Sequence, residues 1–274
     1  MFTRSRRIDQ RPIGCRSSYT ARKPALDSPP LLPSLVDAAD SVELKICLID
    51  GQVGPAVAAL GIDLRKARPQ QIFYRDTPDL TLHQAGLIVR ARQFHHRKDD
   101  SVIKLRPATP DRLGADLRHL KGFKVEIDVT PGEFVCSASL KRRPHEGAIA
   151  EAVAGTRRWS RVFTTEQRRF FDAYAPDGLT LDDLSVLGPV LALRDRQRIP
   201  GLPHPLVVDL WSYPGGRRLL EISRRVPSAE AFAGMAEWRE FITKHHLPTD
   251  GNEVTKTATT LQLFAHELTQ LSPR

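Results

Sequence analysis

The stretches GLIVRARQ, residues 86–93, and SVIKLRPA, residues 101–108, decide the fold prediction. In both, apolar and polar residues alternate, which is typical of a β-strand with one buried face. Each stretch also places two cations two residues apart, Arg90 with Arg92 and Lys104 with Arg106. Side chains two apart share one face of a strand, where like charges repel each other. That face therefore requires an anion or opposite charges from other strands.

The same alternation recurs along the chain and predicts further strands. They are SVELKICLI (41–49), GFKVEIDV (122–129), LALRDRQRI (191–199), LVVDLW (206–211) and RRLLEISRRV (217–226), the last two joined by the turn YPGG (213–216). LALRDRQRI repeats the cation spacing with Arg194 and Arg196. Acids lie on other strands, at Glu43, Glu126, Asp128, Asp209 and Glu221.

This segregation of charge by strand is the main clue to the architecture. A solvent-exposed sheet face is the simpler interpretation of any one strand, but such faces usually mix charges of both signs. A closed antiparallel β-barrel explains the joint pattern, with the charged face inward and helices covering the outside. Helical patterns fall between and after the strands, at 54–62, 164–175, 228–247 and 255–271. The predicted class is therefore α+β.

Composition narrows the partners and the compartment. The chain has 274 residues and a formal charge of +9, which suggests an anionic partner. No apolar run approaches the ~20 residues that span a membrane, so no membrane partner is predicted. Aromatic residues do not interleave with the basic ones, which disfavours specific nucleic-acid binding. Three widely spaced cysteines indicate neither a disulfide framework nor a zinc site, so a reducing, cytoplasmic location fits best.

The sequence also predicts a division of the chain. Residues 1–40 hold seven Lys/Arg and four Asp and include DSPPLLPS, and they are predicted as a disordered, basic, Pro-rich leader. This leader partly matches a transit peptide, and a translation start assigned too early explains it equally well. Residues 41–274 form one predicted domain. Within it, a helix-rich and Arg-rich insertion is predicted at about 131–187.

A barrel interior lined with cations is stable only with water or a counter-anion inside it. A polyphosphate is suitable, because arginine forks bind phosphate oxygens bidentately and lysine adds a point charge. The acids would then hold Mg²⁺ or Mn²⁺, hard cations that prefer carboxylates and substrate phosphates. Together these groups would support phosphoryl transfer, whose catalysis is mostly positioning and charge stabilisation.

At this point the sequence resembles the CYTH proteins, or triphosphate tunnel metalloenzymes, over about 41–128 and 188–264. FYRDTPDLTLHQAGLIVRAR (73–92) resembles the family pattern Y-[FY]-D-T-x-[DN]-x-x-L-x-x-x-G-x-x-L-R-x-R and is the most specific match. SVELK resembles the opening E-x-E-x-K, GPVLALRDR the K-x-R strand, and LLEIS the final L-E-[IL]-E. Ser41 and Ser223 replace a glutamate of these patterns.

The resemblance implies an eight-stranded antiparallel tunnel with flanking helices, and a role for each matched residue. Glu43 and Lys45 would be catalytic, with Lys45 near the reacting phosphate. The implied phosphate-binding residues are Arg90, Arg92, Lys104, Arg106, Arg194 and Arg196. The implied ligands for Mg²⁺ or Mn²⁺ are Glu43, Glu126, Asp128, Asp209 and Glu221. Lys256 in the last helix is a candidate for closing the tunnel, although an exposed helix lysine is the simpler interpretation.

Several functions stay open from the sequence. The first is metal-dependent hydrolysis of tripolyphosphate or of an organic triphosphate. The second is a non-catalytic module that binds polyphosphate or nucleotide, favoured because Ser41 and Ser223 remove two negative charges from the implied metal site. Adenylyl cyclase activity is a third, but no residues suggest its base or an adenine pocket. Tunnel proteins often pair, so a homodimer is an expectation that the sequence does not decide.

Overall fold

Nine β-strands close into a barrel in the computed structural model, which describes residues 31–95, 97–249 and 255–271. The strands are β1 (Ser41–Ile49), β2 (Arg68–Asp76), β3 (Leu87–Phe94), β4 (Asp100–Leu105), β5 (Phe123–Thr130), β6 (Glu133–Arg142), β7 (Ser185–Gln197), β8 (Leu206–Ser212) and β9 (Arg218–Pro227). Around the barrel they follow the order β1-β5-β6-β4-β3-β2-β7-β8-β9, and β9 pairs back with β1.

The expected barrel of eight antiparallel strands is corrected to a mixed barrel of nine. β1 and β5 run parallel, and the other neighbouring pairs are antiparallel. A closed ring with an odd number of strands cannot alternate in direction throughout, so at least one pair must be parallel. The parallel pair arises because β6 lies between β4 and β5 and is antiparallel to both.

In the described residues, seven α-helices accompany the barrel. They are α1 (Leu31–Ala38), α2 (Val53–Ala59), α3 (Thr81–Gln84), α4 (Ala148–Val153), α5 (Thr165–Asp172), α6 (Ala231–Lys244) and α7 (Lys256–Leu271). None of the helices in the described part of the chain is both long and apolar enough to cross a bilayer.

Two segments differ from their sequence-based description. The end of the predicted leader forms helix α1, whose Leu32 and Val36 are buried in the core, while residues 1–30 lie outside the described residues. The predicted insertion at 131–187 begins with β6, a strand of the barrel itself. Its helical part follows, with α4 and α5 packed on the outside of the barrel.

Alternation along each strand separates an apolar outer face from a charged inner one. On β1, Val42, Leu44 and Ile46 are buried in an outer core that also contains Trp238 and Phe241 of α6. The residues between them, including Glu43 and Lys45, point the other way and meet side chains from the neighbouring strands β5 and β9. Apolar burial thus lies outside the barrel wall, and the polar chemistry lies within it.

The turn between β2 and β3 is organised by Asp76, the aspartate of FYRDTPDL. Its carboxylate accepts hydrogen bonds from the backbone N–H groups of Thr77 (2.7 Å), Leu82 (2.8 Å) and His83 (2.9 Å). The bonds to Leu82 and His83 satisfy N–H groups in the first turn of α3, which otherwise have no partner within the helix. This motif residue therefore shapes the entry into β3.

Gln167 joins α5 to the barrel, and its loss is expected to be costly. Its side chain is buried, accepts from the Ser101 hydroxyl (3.0 Å), and donates to the carbonyls of Ser101 and Leu140 (both 3.0 Å). Gln167→Ala leaves these buried groups unsatisfied, so we expect the free energy of unfolding to fall by about 2–3 kcal/mol. Urea denaturation measures this change. Arg169→Ala, an exposed change on the same helix, is the control and should cost less than about 0.5 kcal/mol; equal effects would contradict the prediction.

Candidate functional site

The inside of the barrel holds a dense network of opposite charges. Among the described residues, its cations outnumber its acids. The cations are Lys45, Arg90, Arg92, Lys104, Arg106, Lys141, Arg194, Arg225 and Lys256, and the acids are Glu43, Asp100, Glu126, Asp128, Asp209 and Glu221.

Asp128 on β5 is the most enclosed acid of this network. Its side chain is 0% exposed and receives Lys45 Nζ at 2.7 Å, Lys104 Nζ at 3.0 Å and Arg106 Nε at 3.6 Å. Burial would raise the pKa of this carboxyl, but the three cations outweigh burial and hold its pKa well below the usual range. Asp128 is therefore charged at neutral pH and anchors three cations from β1 and the end of β4.

Lys45, predicted to act near the reacting phosphate, is held between two acids. Besides Asp128, its Nζ lies 3.5 Å from Glu43 Oε2. Burial alone would lower the pKa of this amine, but Asp128 and Glu43 raise it above the usual lysine range. Lys45 is thus a fixed cation rather than a proton acceptor.

A second group of ion pairs joins β7, β8 and β9 to the last helix. Lys256 of α7 contacts Asp209 (3.3 Å) and also pairs with Glu221. Arg194 pairs with the same Asp209. Burial raises the pKa of Asp209, while Lys256 and then Arg194 lower it, and the result lies below the usual value. Lys256, for which the sequence left two interpretations, lies inside the network and not on an exposed helix face.

A third group was missed by the sequence analysis. Asp100, at the start of β4, accepts a bidentate pair from Arg92 (2.8 and 2.6 Å) and a further contact from Lys141 of β6 (2.8 Å). These ion pairs outweigh burial, and they hold the pKa of Asp100 well below the usual range. The alternation Asp100, Val102, Lys104 would have placed Asp100 on the inner face. Lys141 escaped because its strand was not predicted.

Arg90 differs from its neighbours. Among the described residues no carboxylate lies within ion-pair distance of it. Its guanidinium interacts with the Tyr74 hydroxyl, and Asp100 and Asp209 attract it from farther away. Its Nε is buried and has no hydrogen-bond partner among those residues. Arg196, predicted alongside it as a phosphate ligand, is exposed near the end of β7 and does not join the inner network.

Glu43 and Glu126 share one cation that the sequence analysis did not single out. Nη2 of Arg225, on β9, lies 3.2 Å from Glu43 Oε1 and 3.1 Å from Glu126 Oε1. Ser41 also donates its hydroxyl to Glu126, at 3.4 Å. Burial raises the pKa of Glu43, but Lys45 and Arg225 help to keep it below the usual value.

Comparison with known proteins finds similarity in the fold and not in the sequence. The sequence matches no protein-family model and no curated protein. A proposed adenylate cyclase from Bacillus halodurans matches with a TM-score of 0.57 and 14% identity, over 80% of this chain and 97% of that chain. The chain has the CYTH fold. HpAC1 from Hippeastrum, a proposed adenylyl cyclase described as having a dominant triphosphatase activity, matches with a TM-score of 0.55 and 16% identity, over 80% of this chain and 94% of that one.

The donor set of this CYTH barrel does not fit a divalent metal. Each acid predicted as a ligand already forms an ion pair with a lysine or arginine, and those acids are Glu43, Glu126, Asp128, Asp209 and Glu221. Within the described ranges, no group of three or more acids, histidines or cysteines has a metal-binding arrangement. Ser41 and Ser223, which stand where the family patterns have carboxylates, are both buried and supply only hydroxyls.

Proposed function

We propose that the CYTH barrel binds the phosphate chain of a triphosphate, either inorganic tripolyphosphate or the triphosphate of an organic molecule. The observation that carries this proposal is the Arg90 guanidinium, which lies inside the barrel without a close carboxylate and with an unsatisfied buried Nε. A buried charge is costly unless it is paired and hydrogen-bonded. Phosphate oxygens meet both needs, since they are anionic and accept charge-assisted hydrogen bonds from an arginine fork.

The neighbouring cations favour a chain of phosphates over a single one. Arg92 on β3, Lys104 on β4 and Arg194 on β7 belong to three strands of the barrel wall, and none of their side chains is fully buried. A single phosphate could contact only some of these cations, whereas a triphosphate presents oxygens along its length. Bound phosphates would share these cations with Asp100, Asp128 and Asp209.

Metal-dependent hydrolysis is the second candidate. It is supported by the fold shared with HpAC1, which has triphosphatase activity, and by the proximity of Lys45 and Glu43, the two residues implied as catalytic. The occupied carboxylates and the two serines count against it. Binding without turnover is therefore the preferred function.

Calorimetry with tripolyphosphate, ATP and thiamine triphosphate tests the proposal, in EDTA and again with Mg²⁺ or Mn²⁺. We expect tripolyphosphate to bind in EDTA and free phosphate not to accumulate under any condition. Affinity should fall steeply with added salt, because several fixed cations contribute.

Each other outcome has a definite meaning. Phosphate release that requires metal and disappears in Glu43→Ala would establish the hydrolase instead. An absence of both binding and release for all three compounds would eliminate the polyphosphate function. The organic triphosphate with the highest affinity would identify the class of head group.

A further inference from the structure

Arg225 occupies a position that its surroundings would otherwise offer to a metal ion. It is opposite Glu43 in the β1–β9 pairing, while Ser41 is opposite Glu126 in the β1–β5 pairing. The carboxylates of Glu43 and Glu126 therefore converge from two strands on the same point. One guanidinium nitrogen lies between them, at 3.2 and 3.1 Å.

The residues around Arg225 make the site less negative. Ser223, two residues earlier on the same face of β9, is opposite Lys45 and has no charge of its own. Ser41 is likewise uncharged and donates a hydrogen bond to Glu126, which a carboxylate could not do. The two remaining carboxylates and the single arginine leave little net negative charge for a divalent ion.

We propose that the Arg225 guanidinium takes the place of a divalent cation between Glu43 and Glu126, so that this barrel is occupied by a fixed cation and excludes Mg²⁺ and Mn²⁺. The guanidinium satisfies both carboxylates with charge-assisted hydrogen bonds. It is always protonated, so its charge cannot be removed by pH or by chelators. Unlike a bound metal ion, this cation cannot dissociate from the protein.

This proposal has a consequence for phosphate, and that consequence alone rests on the proposed function. A guanidinium at the Glu43–Glu126 position would orient the carboxylates without a hydration shell, whereas Mg²⁺ brings ordered waters with it. Tripolyphosphate binding should then be indifferent to EDTA. The exclusion of metal is independent of any phosphate and can be tested without it.

Arg225 is 46% exposed, so the competing arrangement is one in which its side chain swings out and admits a metal. The two arrangements differ in the metal affinity of the unmodified protein. If the Arg225 side chain moves out easily, the wild-type chain binds Mn²⁺ through Glu43 and Glu126. If it does not, metal binding appears only after the arginine has been removed.

Mn²⁺ titration followed by electron paramagnetic resonance decides between them, using the full chain without phosphate. The variants are Arg225→Ala, Arg225→Gln, and Ser41→Glu combined with Arg225→Ala. Arg218→Ala is the matched control, an exposed arginine on the same strand. The second arginine variant keeps a side chain of similar length should the alanine variant fold poorly, which circular dichroism would reveal.

We expect Arg225→Ala and Arg225→Gln to bind Mn²⁺ at least about tenfold more tightly than wild type, since a competing charged partner is lost. Adding Ser41→Glu should tighten binding by about a further tenfold, and Arg218→Ala should match wild type. Saturable Mn²⁺ binding by wild type that is lost in Glu126→Gln would overturn the proposal. So would folded arginine variants that bind Mn²⁺ no better than wild type, whatever the result with tripolyphosphate.

Discussion

Arg90→Ala is expected to weaken tripolyphosphate binding by about 100-fold without lowering the melting temperature of the free protein. Hydrogen bonds to charged groups contribute about 1.5–3 kcal/mol each, and the guanidinium can give two to phosphate oxygens. A loss of about 2.7 kcal/mol corresponds to a 100-fold change in Kd. The free protein should tolerate the change because Arg90 has no close carboxylate partner among the described residues and loses only its interaction with the Tyr74 hydroxyl.

Calorimetry in EDTA measures the affinity, and thermal denaturation without ligand measures the stability. Arg196→Ala is the matched control, because this arginine was also implied as a phosphate ligand but is exposed near the end of β7. The affinity of Arg196→Ala for tripolyphosphate should differ from that of wild type by less than about threefold, as expected for an exposed ion pair. If Arg90→Ala lowered the melting temperature and left Kd unchanged, Arg90 would be a structural residue, contrary to the prediction.

Asp128→Asn is expected to lower the free energy of unfolding by about 3–5 kcal/mol. Removing one partner of a buried ion pair leaves an uncompensated buried charge, which is the costly case. Here a single neutralisation leaves Lys45, Lys104 and Arg106 without their shared acid. Urea denaturation at neutral pH measures the loss, and Asp116→Asn, a change at an exposed acid, is the control with an expected effect below about 0.5 kcal/mol.

The same residue predicts how stability depends on pH. The pKa of Asp128 is lower in the folded protein than the unfolded value of about 3.9. Such a group stabilises the fold fully above the unfolded pKa, and the contribution is lost as the pH falls through the folded pKa. Wild type should therefore lose stability below about pH 4, and Asp128→Asn should show a shallower loss over that range. Equal acid slopes in the two proteins would contradict the assignment.

Tripolyphosphate should partly rescue this variant. A bound anion can neutralise Lys45, Lys104 and Arg106 after the carboxylate has gone, so the ligand should raise the melting temperature of Asp128→Asn more than that of wild type. A smaller rise in the variant would mean that phosphate does not reach these three cations.

Local pattern alone predicted much of the barrel wall. Period-2 alternation identified β1, β3, β4, β5, β7, β8 and β9 because it needs only the neighbours of each residue along the chain. The same alternation put Arg90, Arg92, Lys104 and Asp128 on the charged face. The helices α2, α5, α6 and α7 were also predicted, and in the structure Thr164 and Gln167 form a capping box at the start of α5.

Two strands were missed for different reasons. β6 carries Ser137 and Ser139 on its inner face and the small residues Cys136 and Ala138 on its outer face. The alternation along this strand is therefore weak in both polarity and size. β2 was not predicted as a strand, because only its end overlaps the family motif that begins at Phe73. The expected number of eight strands came from the family resemblance, and the parallel pairing of β1 with β5 was not predicted.

The sequence by itself determined that one face of the sheet is rich in cations and which strands carry these cations. It also showed that serines at 41 and 223 leave this face with fewer carboxylates than the family patterns have. Only the tertiary structure decided which acid meets which cation. Glu43 and Arg225 are 182 residues apart in the chain and become neighbours through the register of β1 with β9. Register depends on barrel closure and on strand count, which are properties of the whole chain. Alternation fixes the direction of a side chain, but its partner depends on contacts that no local pattern contains.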